Sequence, residues 1–446
     1  MSKDQLSRRN FLEKSALIGA AGVIGLNALS SCKNATKEVD YEFPPLLDQA
    51  PDGKELKVGL VGCGNRGTGA ALNFLAAGHD LHLVALADVF EDKVWDCRDK
   101  LLKQRVEVPE TNCFWGFDAY KSLLDVDLDV VILATPPHFR PMHFDAAVQA
   151  KKHVFLEKPV CVDPVGARQI MATSKKAESM GLSVITGTQR RHSRDYLETY
   201  RQVASGAIGD LVSAKAYWLQ SHVWFRTREE GWSDMEYMLR NWNSFCWLGG
   251  DHILDTHVHN IDIVNWFMGK TPESAIGFGG RHRRLTGDQY DFFSIDFDFG
   301  KGISSHSFSR QIDGCANQLG EVIMGTEGYT NCKNTVFNHD GSVKWTYEYP
   351  KNKDGRSTGV VAVSPYVQEH IHLVTSIRTN KPVVEAYRTA ESTLTAIMGR
   401  TAAYTGQKVT WEDMMTSNEK LGPKKYEMGP VDMEFPVPLQ GTQHKA

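Results

Sequence analysis

The sequence predicts an α/β protein: an N-terminal doubly wound parallel sheet followed by a C-terminal α+β domain with a large, mainly antiparallel open sheet. Three observations predict it. An apolar run over 56–61 ends in a Gly-x-Gly-x-x-Gly turn, short apolar runs then alternate with helical stretches to about residue 185, and residues 292–299 alternate apolar and polar side chains with period two. In the first domain strands are predicted over 56–61, 81–87, 130–134, 154–156 and 183–185, with a helix over 68–77 after the first turn. In the second, 211–219 and 292–299 read as strands, and Phe293, Ile295, Phe297 and Phe299 mark one covered face. A late helix spans 390–404 and is stopped by Gly406.

The turn carries the most specific chemistry. Gly62 permits the tight turn, Gly64 lets backbone N–H groups approach a pyrophosphate, and Gly67 allows the helix to pack closely on the sheet. The helix N-terminus then favours negative charge. Asn65 and Arg66 stand within the same loop. The next strand ends in Asp88, about 21 residues after Gly67, the spacing of an acid that binds a ribose 2′-hydroxyl and repels a 2′-phosphate. NAD is therefore the predicted cofactor, with Arg66 keeping NADP open. Thr135 and His138 follow the strand over 130–134 at the ligand-binding edge of the sheet and are further candidate cofactor contacts.

Residues 1–32 read as an export signal. Ser7-Arg8-Arg9-Asn10-Phe11-Leu12 has twin-arginine character, the apolar run over 16–29 is too short to span a bilayer of roughly 30 Å, and Leu29-Ser30-Ser31-Cys32 resembles a lipobox. Lipidated Cys32 would tether the chain in the periplasm or cell envelope. Residues 33–55, with Pro44-Pro45 and Pro51, read as a linker or an arm that wraps a neighbouring subunit; 56–187 form the dinucleotide-binding domain and 188–446 the substrate-binding and oligomerisation domain. The 446 residues suffice for two cores. A net charge of −4 without a basic patch argues against nucleic acid. Seven cysteines follow Cys32 without a Cys-x-x-Cys pair, so neither zinc nor a disulfide framework is expected.

Two clusters remain. Glu157-Lys158-Pro159 places an ammonium at the carboxyl edge of the strand over 154–156, beside the expected nicotinamide, where it can stabilise charge on a substrate oxygen. The run from Gly249 to Asp262 holds His252, His257 and His259; a helix from about Leu254 puts Asp255 and His259 one turn apart, where a carboxylate raises imidazole proton affinity and makes His259 an acid/base. His252 and His257 are then substrate contacts or supporting groups, and no metal is assigned because no His-Glu-x-x-His motif occurs. Gln189-Arg190-Arg191-His192 lies between the domains, with Gln189 assigned to the cofactor and Arg190 to substrate. The aromatic, basic stretch of Arg240, Asn241 and Trp242 suits a carbohydrate cleft, since guanidinium and amide groups bind hydroxyls and tryptophan stacks on sugar rings.

Taken together the chain resembles the Gfo/Idh/MocA oxidoreductase family from about Leu56 to Trp411. The resemblance rests on Val-Gly-Leu-Val-Gly-Cys-Gly-Asn-Arg-Gly, Glu157-Lys158-Pro159, Asp255-x-x-x-His259, the Gly325-Thr326-Glu327-Gly328 turn and the helix around Ala390-Glu391-Ser392. It implies a Rossmann domain followed by a sheet whose open face binds substrate and mediates homo-oligomers, with Lys158 on the reacting hydroxyl, Asp255 orienting and His259 moving the proton. The chain departs from the commonest pattern at His257, where glycine is usual, and at Asp251, where a small residue is usual. The family's members include sugar and inositol dehydrogenases and NAD-dependent glycosidases. Export favours a tightly held NAD that oxidises a sugar or glycoside hydroxyl, for example to a 3-keto glycoside, and is recycled by a keto-sugar acceptor. The alternative is a glycoside hydrolase working by oxidation, elimination and reduction, with His257 or Tyr237 as the second base.

Overall fold

The computed structural model describes residues 45–441; the expected export signal and lipidated Cys32 lie outside the described residues. A parallel six-stranded sheet comes first, in the order β3-β2-β1-β4-β5-β6. Its strands are β1 (Leu56–Val61), β2 (Leu81–Asp88), β3 (Cys113–Trp115), β4 (Val130–Leu133), β5 (His153–Leu156) and β6 (Val184–Thr186). Helices α1 (Asn65–Leu75), α2 (Glu91–Lys103), α3 (Ala119–Leu124), α4 (Arg140–Gln149) and α5 (Pro164–Ser179) cover it. Both faces are buried, which explains why β1, β4 and β5 read as unbroken apolar runs rather than alternating ones. β3 escaped the sequence reading because it has three residues and sits at the sheet edge.

After α6 (Arg194–Ala204) the chain enters a nine-stranded sheet through β7 (Leu211–Gln220). Helices α7 (Asp234–Arg240), α8 (Cys246–Gly249), α9 (His252–Asp255) and α10 (Val258–Met268) separate β7 from β8 (Ser274–Gly280), β9 (Phe292–Asp298), β10 (Ser304–Gln311) and β11 (Gln318–Gly325). The sheet continues through β12 (Tyr329–Thr330), β13 (Thr335–Phe337) and β14 (Val343–Thr346), with β15 (Val409–Thr410) at the opposite edge beside β8. β7 and β10 pair in parallel and every other pairing is antiparallel. β9 and β10 alternate buried and half-buried residues, as the period-two pattern predicts for a sheet covered on one side. Helix α12 (Ala386–Thr405) and α10 supply that cover, and α12 ends at Gly406, whose φ of 71° caps the helix in the left-handed region.

Two late segments return to the first domain. α11 (Pro365–Arg378) places Ile371, Leu373 and Val374 in one core with Val58, Leu60, Phe74 and Phe155. Burial of apolar side chains of this size contributes about 1.5–3 kcal/mol each. Arg378 of the same helix donates to the carbonyls of Pro51 and Lys54, and Arg194 to those of Leu46 and Leu47, so residues 45–55 are held by their own chain. After α13 (Trp411–Thr416) the chain runs extended as a strap. Leu421 N–H donates to Asp163, Met235 N–H donates to Gly429 O at 3.1 Å, and Tyr290 Oη donates to Pro438 O at 2.9 Å. Among the described residues no helix is long and apolar enough to cross a membrane.

Candidate active site

The glycine turn makes the floor of a cavity of about 770 Å³, in the size range of small-molecule and cofactor sites. Each glycine has a different reason to be there. Gly62 has φ of 102°, and a Cβ would stand 2.6 Å from the Ala134 carbonyl carbon. A Cβ on Gly67 would stand 1.8 Å from Gly62 O, so the helix meets the turn at backbone distance. A Cβ on Gly64 would touch nothing within 4 Å. The protein does not need glycine at 64 for its own packing; that open cradle, facing the cavity at the N-terminus of α1, fits a pyrophosphate.

Asp88 ends β2 on the cavity wall and accepts from the backbone N–H groups of Cys63 at 2.7 Å and Phe90 at 3.0 Å. A carboxylate offers about four lone-pair directions, so capacity for a ribose hydroxyl is left. Burial raises its pKa, and the two backbone donors work against that rise. Asn65 and Thr135 also line the cavity, with Asn65 accepting from Lys100 and the Thr135 hydroxyl 3.1 Å from His143 Nδ1. Arg66 lines it too, but its guanidinium donates to Glu157 at 2.5 Å and Glu369 at 3.0 Å and lies 5.0 Å from the Tyr366 ring centroid. It is held by two carboxylates rather than presented to a 2′-phosphate, which leaves the choice of dinucleotide to Asp88. Gln189 joins this group by donating to Tyr366 Oη at 3.3 Å.

His138 is a correction. Its ring packs among Phe139, Trp247 and Tyr426, its Nε2 lies 2.8 Å from Tyr426 Oη, and burial pushes its pKa down to about 4. The strap covers this histidine, and it does not line the cavity.

Lys158, at the end of β5, and the α9–α10 junction meet across the domains. The Lys158 ammonium donates to the backbone carbonyl of Asp255 at 2.5 Å. In an unbroken helix that carbonyl would have accepted from the His259 N–H; α9 stops at Asp255 and α10 starts at Val258, so the predicted i,i+4 pairing is not made. No hydrogen bond joins the Asp255 and His259 side chains. The Asp255 carboxylate acts instead on Lys158: burial lowers the lysine pKa, and Asp255 and Glu157 oppose that. His259 stacks on Trp218, with ring centroids 5.8 Å apart. Burial first, then the positive charges of Lys158, Arg190 and Arg66, hold His259 well below the usual histidine range. The expected rise in its proton affinity is thus reversed, because the ring is buried and the charges that reach it are cations rather than the carboxylate.

The substrate candidates divide. Arg190 comes to this site: it pairs with the buried Glu321 of β11, and its guanidinium lies 5.5 Å from the Trp218 ring centroid. His257 does not, because it is fully buried against the sheet, with Nε2 2.6 Å from Ser307 Oγ of β10 and a pKa pushed down to about 3 by burial. Asp251 is structural: it accepts from the N–H groups of His252 and Tyr290 and from Tyr404 Oη. Of Arg240, Asn241 and Trp242, the first and last line the cavity over the glycine turn, and Asn241 does not. Arg240 reaches Asp92 of α2, Trp242 lines the cavity, and Asn241 is fully buried, accepting from the Arg226 N–H at 2.8 Å. Composition revealed the aromatic and basic character of this stretch but not which domain it faces. Arg226, Phe90 and Asp92 escaped the sequence reading, since no spacing rule marks them. Among the described residues no group of three or more His, Cys, Asp and Glu side chains is placed to hold a metal.

Comparison with known proteins agrees with this geometry. The Gfo/Idh/MocA model described as an oxidoreductase family with an NAD-binding Rossmann fold matches residues 56–186, and the Gfo/Idh/MocA C-terminal domain model matches 196–330. A myo-inositol 2-dehydrogenase of Thermotoga maritima is 25% identical over 224 residues, covering 50% of this chain and 58% of that protein. A glycosyl hydrolase family 109 protein of Shewanella pealeana is 25% identical over 229 residues, covering 49% of this chain and 47% of that protein. The match thus spans only about half the length of these curated relatives. The scyllo-inositol dehydrogenase of Lactobacillus casei, solved with bound cofactor NAD(H) and scyllo-inositol, superposes with a TM-score of 0.59 at 21% identity, over 80% of this chain and 99% of that one, and shares the fold. The two matched models together cover more than half of the sequence, and the chain belongs to the Gfo/Idh/MocA oxidoreductase family, with an NAD-binding Rossmann domain at its N-terminal end.

Proposed function

We propose that this protein oxidises a hydroxyl of a sugar, glycoside or related polyol with NAD, and that the cofactor stays bound and is recycled by a keto-sugar acceptor. The observation that carries the reading is the contact across the domains between Lys158 and the α9–α10 junction that bears His259. The nicotinamide, when bound, accepts the hydride. The chain's own residues handle the proton. Lys158 uses one of its three N–H donors on Asp255, leaving two to hold the substrate oxygen and stabilise its developing negative charge. His259, kept neutral by burial and then by the cations around it, takes the hydroxyl proton, and Trp218 and Arg190 offer a stacking face and a cation beside it.

The hydrolase reading needs a second base. Of its two candidates, His257 is buried beneath the sheet, and Tyr237 stands on α7 in edge contact with Phe245, within the cluster under the strap. The dehydrogenase reading is therefore preferred. Incubation with an aryl glucoside and a keto-sugar acceptor tests it: a keto-glycoside with an intact glycosidic bond supports it, and free aglycone overturns it. Denaturation of the purified protein should release about one dinucleotide per chain.

The same reading includes export, a lipid tether at Cys32 and self-association through the open face of the second sheet. Ile276 and Phe278 are 51% and 57% exposed there, beside the stacked Tyr217 and Phe308. Globomycin-sensitive processing at Cys32 and a drop in sedimenting mass for Phe278→Glu are the corresponding checks.

A further inference from the structure

The cavity over the glycine turn has a roof that comes from the second domain. Trp224, Phe225, Arg226, Leu239, Arg240 and Trp242 line it opposite the fingerprint. Arg240 spans the gap with both terminal nitrogens, donating to the two carboxylate oxygens of Asp92 at 2.9 and 3.1 Å. Its guanidinium carbon lies 3.9 Å from the Phe90 ring centroid, and its Nε donates to Glu236 at 2.9 Å. A bidentate guanidinium–carboxylate pair combined with ring stacking fixes orientation more strongly than a single exposed ion pair. The roof is also fixed from outside: the strap accepts the Met235 N–H at Gly429 O and donates the Val431 N–H to Asp234, gripping the start of α7.

Arg226 differs from the other guanidinium groups on the cavity wall. Arg66 and Arg240 are each held by two carboxylates, whereas the Arg226 side chain makes no ion pair among the described residues. Its backbone N–H is tied to Asn241 Oδ1, which sets where the residue enters the cavity. A guanidinium without a carboxylate partner, on the wall of a cavity whose floor holds a helix N-terminus, can complement a diphosphate from its second side.

We infer that the second domain completes the dinucleotide site, with Arg226 as a binding residue for the pyrophosphate and the Arg240–Asp92 pair as a positioning clasp that slows cofactor escape. The inference rests on NAD binding but not on the recycling proposed above. The test follows dissociation of labelled NAD from the full-length protein, with the melting temperature of the cofactor-free protein as the folding control. Arg226→Met should weaken NAD and ADP-ribose by the same factor, about tenfold or more, and Arg226→Lys should recover part of it. Arg240→Ala and Asp92→Asn, made on different domains, should each speed NAD release by about tenfold, and the double variant should be no faster than the singles. Wild-type dissociation rates in Arg226→Met overturn the pyrophosphate assignment, and wild-type rates in Asp92→Asn, or additive effects in the double variant, overturn the clasp. Fast release from the wild type itself would sink the recycling reading while leaving these ratios readable.

Discussion

The floor of the dinucleotide cavity is made of backbone and its roof of side chains. On the floor, Gly62 and Gly67 shape the turn, and Gly64 leaves it open at a helix end. On the roof, Trp224, Arg226, Arg240 and Trp242 present rings and guanidinium groups from the other domain. At Gly62 and Gly67 this surface is fixed by the lack of room for a Cβ, so a side chain there harms the turn itself. A side-chain surface is set by pairing partners such as Asp92 and Asn241, so single residues there change how long a ligand stays more than whether the loop folds.

The floor gives the sharpest break. Gly67→Val drives a side chain into Gly62 O, an overpacking that costs about 1–3 kcal/mol and displaces α1. NAD binding by calorimetry should vanish and the melting temperature should fall; an unchanged variant would remove the close-packing argument. Next in size, Lys158→Ala and His259→Ala should each lower kcat/KM by about 10²–10⁴-fold while the purified variants still carry NAD. Equal activity in either would detach that residue from the chemistry. Gly64→Ala separates ligand fit from folding, because its methyl meets no protein atom. It should melt like the wild type yet bind NAD about tenfold more weakly, roughly 1.4 kcal/mol.

The smallest effect is in the pH profile. Oxidation needs His259 unprotonated, and its pKa lies well below the usual 6.5, so it stays neutral as the pH falls past that value. The acidic limb of kcat/KM should therefore lie below pH 6.5. A limb above it would mean that burial and the cations around the ring do not govern its titration.

The legible part of the molecule was the part in which local sequence dictates geometry. The glycine spacing, the Asp88 position and the Glu157-Lys158-Pro159 triplet all act within a few residues of a strand end; the glycines and Asp88 line one cavity, and Glu157 accepts from Arg66 on its wall. The period-two strand over 292–299 was equally direct, because one covered face imposes alternation. The role of Arg240 was not legible: its partner Asp92 lies 148 residues away on a different domain. The Asp255–His259 pairing misled for a related reason. The spacing suits a continuous helix, but a lysine from the first domain takes the carbonyl that would have continued it.

Helix α11 and the strap have a consequence for synthesis on the ribosome. The strands of the nucleotide-binding half emerge early, yet one wall of their hydrophobic interior arrives only with Ile371 and Val374, and α7 is gripped only once Gly429 and Val431 follow. Nascent chains shorter than about 430 residues should thus display a half-built nucleotide pocket, and stable capture of the coenzyme becomes an event at or after release.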